Sequence, residues 1–288
     1  MVRNQELVAS APGKAASERG KVTSARGKGG ARGKAASKAG VYVYGIVRAD
    51  ALEGREALNS PAVGGRGDRV RAVRMRELAA FVSDSPEARY DVSRENLIAH
   101  QRVLEEILAF TEVIPAQFGL ISASDARVSE QLLKTRHDEL SAILAHIHGR
   151  VELGIKVLWK RDRIFTELAT EIDEIRALRD EMASRPLGHN EQIRLGQLVE
   201  QAMAELRTRD AEQIVSELEE LCAEMKTNHL LTDMMVLNAA FLVEKEHESR
   251  FDAAVDAIAE RNAERLILKY VGPLPPFDFV NLNWEGGA

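Results

Sequence analysis

Apolar and polar positions alternate along this chain in two rhythms, and the last quarter shows both. Residues 234–243 form a ten-residue apolar run broken only by Asn238, too short to cross a bilayer and suited to a buried strand. A charged break at 244–248 precedes Phe251, Val255 and Ile258 at helical spacing, and residues 265–271 predict a second strand centred on Leu266, Ile267 and Leu268. Gly272-Pro273 and Pro275-Pro276 should then end the ladder, because proline offers no amide hydrogen to a neighbour. Two strands and one helix need further strands to be stable, and the upstream sequence supplies them.

Residues 41–47 (VYVYGIV) read as a strand, being β-branched and aromatic. Residues 59–68 read as a loop. Residues 69–75 and 78–83 read as a strand pair that buries Val70, Val73, Leu78, Phe81 and Val82. Ser93 is placed to cap a helix striped by Leu97, Leu104, Ile107 and Leu108. Residues 112–120 predict a strand with Pro115 inside it, hence at a sheet edge or a bulge. Ser124 predicts the start of a helix to His148, lined by Val128, Leu132, Leu140, Ile143, Leu144 and Ile147 and stopped by Gly149. Residues 151–159 alternate as a strand. Two long helices, 163–184 and 190–226, flank a break at 185–188. Leu168, Ile172, Ile175 and Met182 stripe the first; Ile214, Leu218, Leu221 and Met225 stripe the second. Their three- and four-residue spacings predict an antiparallel helical hairpin of coiled-coil character. The chain is α+β.

Length and charge add a division. The 288 residues leave room for two domains. Residues 1–39 hold nine basic and two acidic side chains, a local charge of +7, whereas the remainder carries −13. That first stretch is repetitive in Ala, Gly, Ser and Lys and has too little apolar surface to offset its ordering entropy, which predicts a disordered basic tail. It reads as a solubilising or weakly electrostatic extension ahead of a nucleic-acid-binding one. Aromatic residues at 5% argue against base-stacking platforms. No apolar run reaches eighteen residues, so no membrane helix is expected. The single cysteine, Cys222, leaves no intrachain disulfide and fits a reducing cytoplasm.

Candidate chemistry changes little. Gly64-Gly65-Arg66-Gly67 precedes a strand and not a helix, so it reads as a turn and not a phosphate cradle. The seven histidines, among them His100, His137, His146, His148, His189, His229 and His247, show no ligand spacing. Phosphate-loop, zinc and nucleophile-elbow motifs are lacking. No catalytic, cofactor-binding or metal residue is named, and the residues by themselves describe a non-enzymatic α+β protein.

Several blocks go further. VYVYGIV, VIPAQFGLI at 113–121, VELGIKVLW at 151–159, LNAAFLVEKEHESRFDAAVDAIA at 237–259 and LKYVGPLPPFDFVNL at 268–282 resemble, in order, the gas vesicle accessory proteins of the GvpF/GvpL family. The basic tail departs from that pattern. The resemblance implies a ferredoxin-like N-terminal domain at 40–122. It also implies a C-terminal α+β domain at 123–288 carrying the helical hairpin 163–226. It implies a cytoplasmic, vesicle-associated assembly factor without a cofactor, whose partners are the hydrophobic shell subunit and other accessory proteins. The contact surface is expected at the 78–83 and 112–120 strands or on the hairpin. Two alternatives stand beside it: an enzyme with a small-molecule site between domains, and a nucleic-acid-associated regulator acting through the tail.

Overall fold

In the computed structural model, residues 40–280 apart from Leu187, together with Leu282 and Trp284, are described; the expected disordered tail at 1–39 lies outside them. The chain forms two compact units divided after Leu144, each built on an antiparallel sheet. Residues 123–144 therefore fall with the first unit.

The first unit is organised by β1 (Gly40–Arg48). It pairs with β3 (Leu78–Ser85) on one side and with the short β4 (Ile114–Pro115) and β5 (Ile121–Ser122) on the other. β2 (Arg71–Met75) completes the order β2-β3-β1-β4. The expected strand at 112–120 is thus reduced to two residues at the edge. Pro115 cannot donate to the ladder, and residues 117–119 turn away from β1 between the Ala116 amide, which donates to the Tyr44 carbonyl, and the Leu120 carbonyl, which accepts the Val43 amide. β1 must also approach β4 closely: a side-chain carbon on Gly45 would lie 2.6 Å from Val113 and 2.9 Å from the Ile114 carbonyl. Ser93 caps α1 (Arg94–Leu108) by accepting the Asn96 amide at 3.2 Å, as its position predicts. The expected helix at 124–148 is three pieces: α2 (Asp125–Arg127), a π-helical stretch (Val128–Lys134) that packs on β2 and β3, and α3 (His137–Ile147).

Alternation on β1 turns Tyr42 and Tyr44 toward α1, where they are fully buried. Their hydroxyls then need partners. Tyr42 accepts the Gly119 amide (2.9 Å) and Tyr44 accepts the Val63 amide (2.9 Å), so one strand ties down both flanking loops. His100 of α1 closes the cluster. Its Nε2 lies 3.1 Å from the Ala116 carbonyl, which can only accept. Nε2 therefore carries the proton and Nδ1 accepts from the Tyr42 hydroxyl at 3.0 Å.

The second unit repeats the strand order. β6 (Arg150–Trp159) pairs with β8 (Met235–Glu244) and β9 (Leu266–Leu274), and β7 (Glu224–Thr227) lies outside β8, giving β7-β8-β6-β9. α7 (Glu248–Arg261) connects β8 to β9. In both units the first strand sits between the third and fourth, and the second lies at the edge. They differ in the first connection. In the first unit it is a loop with one 3-10 turn (Asp50–Leu52). In the second it is α4 (Arg161–Glu171), α5 (Asp173–Ser184) and the thirty-residue α6 (His189–Leu218).

Three expectations are corrected here. The helix predicted at 163–184 breaks at Ile172, whose extended backbone separates α4 from α5. The helix predicted to run to 226 ends at Leu218. Residues 219–226 contain no glycine or proline to stop it, and pairing of Glu224–Thr227 with β8 overrides the helical pattern. Cys222 accordingly sits in extended chain, half-buried, with burial raising its thiol pKa. β9 also continues through Pro273 to Leu274, by a register shift opposite 152–154, where an edge strand tolerates proline.

Burial lowers the His100 pKa from 6.5 to about 4. The neutral ring is therefore favoured by folding. Stability from this group is complete above pH 6.5 and falls as pH drops toward 4, by roughly 3 kcal/mol. His100→Gln should remove most of that acid-side loss when urea unfolding is compared at pH 7 and pH 4.5. An unchanged difference would show that the ring is charged in the fold.

Candidate partner-binding site

The second unit's helices are placed by one buried acid. Val199, Met203, Leu206, Asp210 and Ile214 share a face of α6, and Asp210 stands in the apolar stripe with only 5% of its surface exposed. Its Oδ2 accepts the Trp159 indole N–H at 2.8 Å and meets Arg265 at 2.6 Å. Arg265 also grips Glu167 of α4 at 2.6 and 2.9 Å. Burial works against the Arg265 charge, but Glu167 and Asp210 outweigh it and raise its pKa. One turn earlier, Arg207 lies 5.5 Å over the Trp159 ring and donates to the carbonyls of Met235 (3.1 Å) and Asp233 (2.8 Å). Helices α4 and α6, the end of β6 and the starts of β8 and β9 thus meet at one charged knot.

An open groove of about 300 Å³ is lined by Arg161 and Phe165 of α4, Val199 and Met203 of α6, and Thr232, Asp233 and Met234 ahead of β8. Phe165, Val199, Met203 and Met234 supply its apolar surface beside Arg161, Thr232 and Asp233, with the Arg161 guanidinium 5.3 Å over the Phe165 ring. The loop that contributes 232–234 also presents Leu230 and Leu231 to solvent, Leu231 with 64% exposure. This loop is held open-side out by Asn238, which donates to the His229 carbonyl at 2.8 Å and accepts the Asn228 amide on its own carbonyl at 2.7 Å. Two methionines, a phenylalanine and a valine make an adaptable apolar surface of the kind that receives a helix or strand from another chain.

Beyond the groove, α5 and the first turns of α6 are connected by residues 185–188 and joined by ion pairs. Glu174 meets Arg194, and Arg185 reaches Glu181 (2.5 Å) and Glu191 (2.7 Å). Met182 and Ile193, near this connection, are both half-exposed.

The expected contact strand 78–83 is corrected. β3 lies inside the sheet and residues 78–83 are fully buried, so they offer no surface. The hairpin region supplies two walls of the groove, α4 and α6. Phe165 and the leucine pair were not singled out by sequence; two adjacent leucines between polar residues of a loop are the signal that was present. Histidines do not converge. His137 lies between Asp138 and Glu77, which raise its pKa in that order, and His146 meets Glu224 at 3.1 Å. Among the described residues no group of three His, Cys, Asp or Glu side chains is placed to hold a metal ion. Nor is any helix long and apolar enough to cross a membrane.

These features describe an antiparallel α+β protein whose second unit carries an open groove of mixed apolar and charged lining. The family model described as gas vesicle synthesis protein GvpL/GvpF matches residues 40–281. The chain belongs to that family, and a role in gas vesicle formation follows. Gas vesicle protein F of a Streptomyces species is 31% identical over 83% of this chain and 98% of its own length. Gas vesicle protein L of the same species is 23% identical over 85% and 94%. The crystal structure of the gas vesicle protein GvpF from an Anabaena species superposes with a TM-score of 0.74 at 27% identity, covering 85% of this chain and all of that one.

Asp210→Ala would leave the Arg265 charge and the Trp159 N–H short of a buried partner, costing about 3–5 kcal/mol. Asp210→Asn, which still accepts from Trp159, should cost less. Denaturant unfolding measures both, and a near-neutral Asp210→Ala would remove the knot from its structural role.

Proposed function

We propose that this chain is a gas vesicle assembly factor that covers an apolar face of the small hydrophobic shell subunit before the shell closes. The open groove between α4, α6 and the 228–234 loop carries the reading. A shell subunit with an unpaired apolar face aggregates in water unless another surface shields it, and a groove of mixed apolar and charged lining suits an amphipathic segment. Phe165, Val199, Met203 and Met234 supply the apolar part of that binding surface. On this reading both units are ferredoxin-like, the second enlarged by its first connection. Helices α5 and α6 form a coiled-coil-like arm beside the groove that contacts other accessory proteins. The higher identity to the Streptomyces F protein than to its L protein favours an F-like subtype working in the cytoplasm on the growing vesicle.

Capture of the shell subunit tests this directly. Co-expressed with the tagged chain, Leu231→Asp combined with Phe165→Ala should reduce co-purified soluble subunit at least about tenfold. Leu231 is exposed, so its substitution should move stability by no more than about 0.5 kcal/mol. Val92→Ser, an exposed position in the first unit, should capture as well as wild type. Undiminished capture by the groove variant would overturn the assignment.

A further inference from the structure

We propose that residues 275–280 form a proton-controlled strap: while the buried Glu152 carboxyl is protonated this segment stays on the second face of the β7-β8-β6-β9 sheet, and ionisation of Glu152 lets it open.

The sheet has two faces, and register assigns Glu152 to the one away from α4, α6 and α7. Val151, Leu153, Ile155 and Val157 join the helices in the core. Glu152, Gly154 and Lys156 point the other way, opposite Leu242, Ala240 and Asn238 of β8. A polar side chain there would ordinarily be solvated, yet Glu152 is only 3% exposed. What covers it includes the chain's own exit from β9. After Leu274, which lies opposite Glu152, residues 275–280 turn back on themselves. The Phe277 amide donates to the Pro275 carbonyl, and those of Phe279 and Val280 donate to the Pro276 carbonyl.

The attachment is polar and compact. The Asp278 amide donates to Glu152 Oε2 at 2.9 Å, which brings the two acidic residues together. Asn228 donates to Asp278 Oδ2 at 3.1 Å. Lys226 donates to the Asp278 carbonyl at 3.0 Å and places its ammonium 5.4 Å from the centre of the Phe279 ring. Glu152 is buried and Asp278 half-buried beside it, an arrangement that favours the protonated form of Glu152. Burial first, then the Asp278 charge, pushes Glu152 up to about 8, while the bond from the Asp278 amide and, more weakly, Lys226 oppose the shift. The other charged groups on this face include Glu224 of β7, Arg150 and Lys156 of β6, Glu244 of β8 and Lys269 of β9.

The sign follows from where the proton goes. In the closed strap Glu152 keeps its proton up to about pH 8, whereas a freed, solvated Glu152 ionises near the ordinary 4.5. Opening therefore releases one proton throughout that window. The opening equilibrium rises about tenfold per pH unit across it and levels off above about pH 8. Neutral pH falls on the steep part. The strap does not rest on what the groove binds, so either proposal can fail without the other.

Hydrogen–deuterium exchange of the full chain between pH 5.5 and 9, corrected for the intrinsic pH dependence of exchange, reads the strap directly. Protection of amides 278–280 should fall about tenfold per pH unit and flatten above about pH 8. Glu152→Gln, which can still accept the Asp278 amide, should keep the protection and lose the slope. Asp278→Asn removes the second cause and leaves burial, so its profile should keep a slope but flatten at a lower pH than the wild type, which decides the matter if Glu152→Gln does not fold. A wild-type profile without slope, the wild-type slope in Glu152→Gln, or an unmoved plateau in Asp278→Asn would overturn the proposal.

Discussion

A carboxylate in the apolar stripe of a helix must be paired or it unfolds the helix, and Asp210 is paired from three directions. Trp159 reaches it from the end of β6, Arg265 from the start of β9, and Arg209 lies beside it on the helix itself. Arg265 passes the constraint on to Glu167 of α4. The helices of the long first connection are thus fixed to the sheet by charge as well as by burial. Hydrophobic packing alone tolerates sliding of one helix along another; a buried, geometrically defined ion pair does not. The placement of α4 and α6 along the groove depends on that fixed point.

The two units show how one strand order accommodates different tasks. Their sheets are laid down in the same sequence, second-third-first-fourth. In the first unit the loop after β1 is pulled in by tyrosine hydroxyls, leaving a small buried polar cluster around His100. In the second, the corresponding connection grows into three helices that build the groove. The elaboration is confined to one connection, where added length costs little in loop entropy and does not disturb the strands.

Much of the fold was legible in the sequence because alternation and helical spacing report which face is buried. β1, β3, β6 and β8, the Ser93 cap and α7 all follow from pattern. Failures came where tertiary contacts decide. Residues 224–227 carry a helical pattern with no breaker, and only β8 makes them a strand. Pro115 marked an edge, but not that the strand would shrink to two residues. Glu152 fits the polar rhythm of β6, yet rhythm gives the face and not whether the face is covered. The groove was not readable because its lining comes from three distant segments. Asp210 was readable: an acid four residues from both Leu206 and Ile214 breaks an otherwise apolar stripe and asks for a partner.

The claim at the centre of this account is that the groove of the second unit meets the shell subunit. A photo-crosslinking residue placed at position 165 or 231, in the chain co-expressed with that subunit, tests it at the site itself. The account predicts crosslinks from both positions to the shell subunit and none from position 92. Crosslinks to the subunit from position 92 but not from 165 or 231 would contradict it and place the contact elsewhere on the chain.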